Sequence, residues 1–178
     1  MNPVVGKLSV WVGEKTACVR ISGRANFALS VPFRKLLQHL REAGHARVLL
    51  DLSECQLMDS TFLGVLAYEA KERSNEVAGQ MVHGLELLNA NPTVRQLIED
   101  IGVAHLFRFA ERDLPNEQFA AAPEAGQASR EELNRTCLEA HELLMALQPD
   151  NVEKFKDVAR FFADELKRST GSEPGAAD

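Results

Sequence analysis

The stretch RVLLDLS at residues 47–53 constrains the fold most. It is apolar with little alternation, the pattern of a central strand buried on both faces. A chain obtains such burial from a sheet with helices packed on it. The flanking segments supply both kinds of element. KLSVWV (7–12) places Leu8, Val10 and Val12 on one face, and ACVRIS (17–22) does the same with Ala17, Val19 and Ile21. With GEKT as the turn between them, they read as a hairpin that opens the domain.

GRAN (23–26) reads as a loop. Phe33, Leu36, Leu37 and Leu40 then recur at helical spacing, and that helix ends near Gly44. A second helix is expected over 60–76, with Phe62, Leu63, Leu66, Ala67 and Ala70 inward. QMVHGLELLNA (80–90) reads as one strand. NPTVRQLIEDIG (91–102) carries full helix punctuation: Asn91 as cap, Pro92 in the first turn and Gly102 at the close. HLFRFA (105–110) makes a last short strand. Strands alternating with helices after an initial hairpin predict a mixed α/β sheet with helices packed on it over residues 1–110.

Residues 111–128 lose periodicity, gain Pro, Ala and Gly, and read as a linker. Two helical patterns follow over 129–168. Ser129 with Glu132 forms a capping box before Leu133, Cys137, Ala140, Leu144 and Leu147. Asp150 with Glu153 offers a cap to the stripe Val152, Phe155, Ala159, Phe162 and Leu166. This α-helical hairpin cannot bury its apolar faces alone. It must pack on the sheet domain, on a second copy of itself as a homodimer, or on a partner. Residues 169–178 are expected to be a disordered tail.

Composition narrows the function classes. The formal net charge is −6. Residues 1–110 are near neutral, with 12 Lys and Arg against 11 Asp and Glu, whereas 111–178 carry 8 against 15. An acidic chain without a basic stripe is a poor nucleic-acid binder, because that affinity comes from neutralising phosphates. No apolar run approaches the roughly 20 residues of a membrane helix, so no membrane insertion is expected. The N-terminal residues show no export signal, and three widely spaced cysteines with no CxxC pair point to a reducing compartment, the cytoplasm. Phosphate-cradling loops, a GxSxG elbow and HExxH or HxxxH spacing are all missing, so neither a cofactor nor a metal is expected.

One stretch stands out chemically. LMDSTFLG (57–64) sets an Asp and two hydroxyls where a strand hands over to a helix. Asp59 or Ser60 can be simply the helix N-cap, worth about 0.5–2 kcal/mol. The same geometry also tolerates a phosphate, because a hydroxyl there faces unpaired N–H groups and the positive end of the helix dipole. Both readings stand on the residues alone.

The span VLLDLSECQLMDSTFLGVL, with GRAN before it and LELLNANPTVRQLIEDIGVAHLFRF after it, resembles the STAS domain. That family includes bacterial anti-sigma-factor antagonists and the cytoplasmic tails of sulfate transporters. Its antagonist signature is a strand ending in Asp, then Asp-Ser-[Ser/Thr/Ala]-Gly-Leu-Gly opening a helix. Here Asp51 ends the strand and Asp59-Ser60-Thr61-Phe62-Leu63-Gly64 opens the helix.

The resemblance implies phosphorylation at Ser60, with Thr61 as the alternative, and partner binding through Asn26, Asp59, Phe62 and Gly64. It also implies a mechanism. The unmodified protein would bind a serine-protein kinase that is also an anti-sigma factor, phosphorylation would release it, and a PP2C-type phosphatase would restore the binding form. The chain would then have no catalysis of its own. A second implied role is that of a scaffold subunit that never cycles phosphate, as in a lipid-transport ATPase complex. Two departures bear on partner choice: Phe62 stands where the family has Gly, and Asn26 where it has Asp. Phe62 continues the Leu63/Leu66 stripe and is expected in or at the edge of the core. The helical hairpin lies outside the family pattern.

Overall fold

A computed structural model describes residues 5–114 and 118–171. Its elements are β1 (Lys7–Val12), β2 (Thr16–Ala25), α1 (Phe27–Glu42), β3 (Arg47–Asp51), β4 (Cys55–Met58), α2 (Ser60–Arg73), β5 (Asn75–Val77), β6 (Gln80–Val82), β7 (Leu85–Leu88), α3 (Pro92–Asp100), a 3₁₀ turn (Ala104–Leu106), β8 (Arg108–Ala110), β9 (Ala120–Ala121), α4 (Arg130–Leu147) and α5 (Asn151–Thr170). The main sheet runs β8-β7-β3-β2-β1-β9, with β4 paired to the far end of β2. β1 and β2 form the expected antiparallel hairpin, and β2, β3, β7 and β8 are mutually parallel neighbours. The fold is thus the mixed α/β sheet with packed helices that the sequence predicts.

β2 outlasts the expected strand because it serves two partners. Thr16–Arg20 pairs with β3 and Gly23–Ala25 with β4, with a register shift between Gly23 and Arg24. Gly23 sits at φ +74°, which glycine adopts without a Cβ penalty. The expected GRAN loop is therefore the end of β2 plus the cap of α1, and α1 begins at Phe27. The single strand expected over 80–90 is divided. β6 folds back on β5 outside the main sheet, through a turn in which Ala78 and Gly79 both have positive φ. Only Leu85–Leu88 joins the main sheet.

β3 is buried on both faces, as its pattern demands. Val48 and Leu50 enter the main core with Phe33 and Leu37 of α1 and Phe62, Leu63 and Leu66 of α2. Leu49 faces the other way with Cys18 and Leu88, where Trp11, Leu114 and Phe119 pack on them. The stretch expected as a linker therefore contributes β9 on the edge strand β1 and Phe119 beneath the Arg20 guanidinium, 4.0 Å from the ring centroid. Arg20 also pairs with the buried Asp51 at 2.6 Å.

Of the three covers open to the helical hairpin, the structure shows the first. α4 packs on α2 and α1, and α5 packs on α4. Gly64 makes the approach possible: a Cβ there would lie 2.6 Å from both the Cβ and the carbonyl oxygen of Ala140. Arg34–Glu139 at 2.8 Å and Lys35–Glu132 at 3.0 Å tie α1 to the same helix. Buried Asn151 fixes the bend between α4 and α5, its Nδ2 donating to the carbonyls of Ile101 and Leu144 at 2.9 Å each. α5 runs to Thr170, two residues into the expected tail, and residues 172–178 lie outside the described residues. No described helix is long and apolar enough to cross a membrane.

Candidate phosphorylation and docking site

The ends of β2 and β4 bring the starts of α1 and α2 together, and one carboxylate holds both. Asp59 Oδ1 accepts from the Phe62 N–H of its own helix at 2.8 Å, and Oδ2 accepts from the Phe27 N–H at 2.7 Å. Its own N–H donates to the Ala25 carbonyl at 3.0 Å. Asn26, exposed on the neighbouring start, caps α1 by accepting from the Leu29 N–H at 3.3 Å. The cap is thus Asp59, which leaves the Ser60 hydroxyl for another partner.

That partner is His141 on α4. Ser60 Oγ lies 2.9 Å from His141 Nε2, across 81 residues of sequence. His141 Nδ1 lies 2.6 Å from the Cys137 carbonyl, which can only accept, so Nδ1 carries the proton. Nε2 is then the acceptor and Ser60 donates to it. Burial holds the His141 pKa below the ordinary histidine value, against the opposing pull of the Cys137 carbonyl and Asp59, so the ring is neutral at pH 7. Phe155 and Phe162 flank it, with ring centroids 5.1 and 6.4 Å away.

The remaining residues of the stretch separate by orientation. Thr61 is buried and its hydroxyl donates to Cys137 Sγ at 3.6 Å, whereas the neighbouring Ser60 is partly exposed. Phe62 is fully buried with its ring 4.8 Å from that of Phe33, and Gly64 lies beneath Ala140. Asn26 and Asp59, together with the half-exposed Phe27, are the members that reach solvent beside Ser60.

Sequence spacing alone marks neither His141 nor Cys137 as a site residue. The available signal was a histidine at i+4 from Cys137 inside an apolar stripe. The three cysteines are buried free thiols: burial pushes Cys18 up to about 12, Cys55 up to about 11, and Cys137 in the same direction. They are protonated and unreactive at neutral pH. Among the described residues no group of three or more His, Cys, Asp or Glu is placed to hold a metal ion.

The family profile described as "Mlab, STAS domain" matches residues 12–108, more than half of the chain, and ends before the helical hairpin. An anti-sigma factor antagonist from Mycobacterium paratuberculosis is similar in structure at 17% identity and a TM-score of 0.49, covering 60% of this chain and 86% of that one. The Bacillus cell fate determinant SpoIIAA in its phosphorylated form is similar at 20% identity and a TM-score of 0.44, covering 60% of this chain and 91% of that one. No curated relative matches the chain in sequence.

Proposed function

The chain belongs to the STAS domain family, and on that premise we propose that it is a protein-interaction switch of the anti-sigma-factor-antagonist kind. The unmodified form binds a serine-protein kinase that doubles as an anti-sigma factor. Phosphorylation of Ser60 releases it, and a PP2C-type phosphatase resets the cycle. One observation carries the reading. Ser60 is the partly exposed residue of the pair, on the first turn of α2, with Asn26, Phe27 and Asp59 around it.

A phosphate there adds about −1.5 to −2 charges beside Asp59 and faces the acceptor nitrogen of His141. It therefore works against both a docked acidic or close-fitting partner and the existing seat of α4. Docking uses the start of α1 and α2, because α4 already covers Gly64. The test is calorimetric titration of the serine kinase encoded nearest this chain's gene into wild type and Ser60→Asp. Binding weaker by at least about tenfold, with the fold retained, supports the switch. Equal binding overturns it.

A specific observation favours a second reading, the scaffold subunit. The Ser60 proton is already engaged by His141, so the pair works as an interlock between α2 and α4 without any modification. In that case Ser60→Ala loosens the hairpin and leaves partner binding unchanged. Mass spectrometry of the peptide spanning Val48–Lys71 from native cells separates the two readings: a phosphate on Ser60 supports the first, and a bare peptide across growth conditions supports the second.

A further inference from the structure

A cavity of about 770 Å³ opens between the first turn of α2 and the two C-terminal helices. Its volume is within the roughly 300–1,000 Å³ of small-molecule sites. Phe27, Leu133, Val158 and Phe162 supply apolar wall, and Ser60 and Asn134 are among its few polar groups. Three features select the occupant. The walls ask for an apolar body. Ser60 spends its proton on His141, whose other nitrogen is fixed by the Cys137 carbonyl, so Ser60 offers the cavity lone pairs only. Asp59 also lines the cavity with a negative charge, while the cation at the rim, Arg130, is paired with Glu165 at 2.9 Å.

We propose that this cavity is a binding site for an uncharged amphiphile: an apolar chain or ring ending in a hydroxyl or amide. The terminal donor bonds to Ser60 Oγ, and the Asn134 amide, which can both donate and accept, completes the polar end. A carboxylate of the same body accepts but cannot donate, so it meets the Ser60 lone pairs and the Asp59 charge. The site exists only where the hairpin meets α2, so residues 12–108 alone, the span shared with the family, do not form it. The inference does not rest on phosphorylation of Ser60.

The experiment uses the full chain, the neutral fluorophore N-phenyl-1-naphthylamine, and two displacing ligands of equal chain length, decanol and decanoate, below their aggregation limits at pH 7.5. The fluorophore is expected to brighten on binding. Decanol should displace it at a concentration at least about tenfold below decanoate, and Ser60→Ala should narrow that gap. Leu133→Trp, which fills the cavity, should abolish the brightening with circular dichroism unchanged. If Leu133→Trp does not fold, Val158→Trp takes its place from the opposite helix. An unbrightened fluorophore, displacement by decanoate at or below the decanol concentration, or brightening that survives a folded cavity-filling variant overturns the proposal.

Discussion

Five consecutive residues of α2 serve two interfaces of opposite character. Inward, Phe62 lies in a core of large apolar side chains, against Phe33 and beside Leu37, Leu50 and Leu66. Outward, Ser60, Thr61 and Gly64 meet α4 through one hydroxyl–imidazole bond, one hydroxyl–thiol bond and a close approach of small residues. The first interface gains from area removed from water, which is insensitive to direction. The second adds directional bonds and a close backbone approach to the apolar burial of Ala140 and Leu144 in the same core, so part of it depends on single atoms and protons. A local chemical event at Ser60 or Gly64 is therefore expected to act on the hairpin before the sheet, an expectation that hydrogen exchange can test.

Substitutions at neighbouring positions sharpen that contrast. Phe62→Ala empties the core and should cost about 3–5 kcal/mol in urea unfolding of the whole chain. A cost below about 1 kcal/mol would mean that the ring is not structural. Gly64→Val puts a side chain into Ala140 and should cost about 1–3 kcal/mol. The loss should fall on α4 and α5, read as faster amide hydrogen exchange there with β2, β3 and β7 still protected. Uniform exchange across both regions would show that the two interfaces are one cooperative unit.

The smallest expected effect is that of pH. Burial lowers the His141 pKa in the folded chain, so the unfolded chain takes up the proton first as pH falls. This histidine leaves stability undiminished above its unfolded pKa of about 6.5 and erodes it as pH drops from there toward the lower folded value. Hairpin protection should decline across that window in wild type. It should decline less in His141→Gln, which keeps a hydrogen-bonding side chain and cannot titrate. An identical decline in both would assign the dependence to other groups.

Legibility in the sequence followed the length and punctuation of each element. α3 was readable because Asn91 caps it through the Val94 N–H at 2.9 Å and Pro92 opens it. The start of α4 was readable from Ser129, which accepts from the Glu132 N–H at 3.1 Å. Asp150 precedes α5 as expected, but its side chain makes no capping bond, and buried Asn151 fixes that corner instead. β4, β5 and β9 escaped because their two to four residues show no period and no apolar run, whereas β7 and the equally short β8 lie in the apolar segments 80–90 and 105–110. The β5–β6 turn is built on Ala78-Gly79, without the Asn-Gly or Asp-Gly pair that signals such hairpins. Asp59 and Ser60 were legible as capping chemistry at a strand-to-helix junction. His141 was not, because its relation to Ser60 is created by docking two elements distant in sequence.

The unequal strands of the sheet carry a further consequence. One edge is the three-residue β8, and beyond β1 the other is the two-residue β9. An exposed strand edge is a row of unpaired amides on which another chain can add itself, and very short edge strands remove that template. At β8 and β9 the template for edge-to-edge growth is thus short, although β9 covers only Ser9 and Val10 of β1.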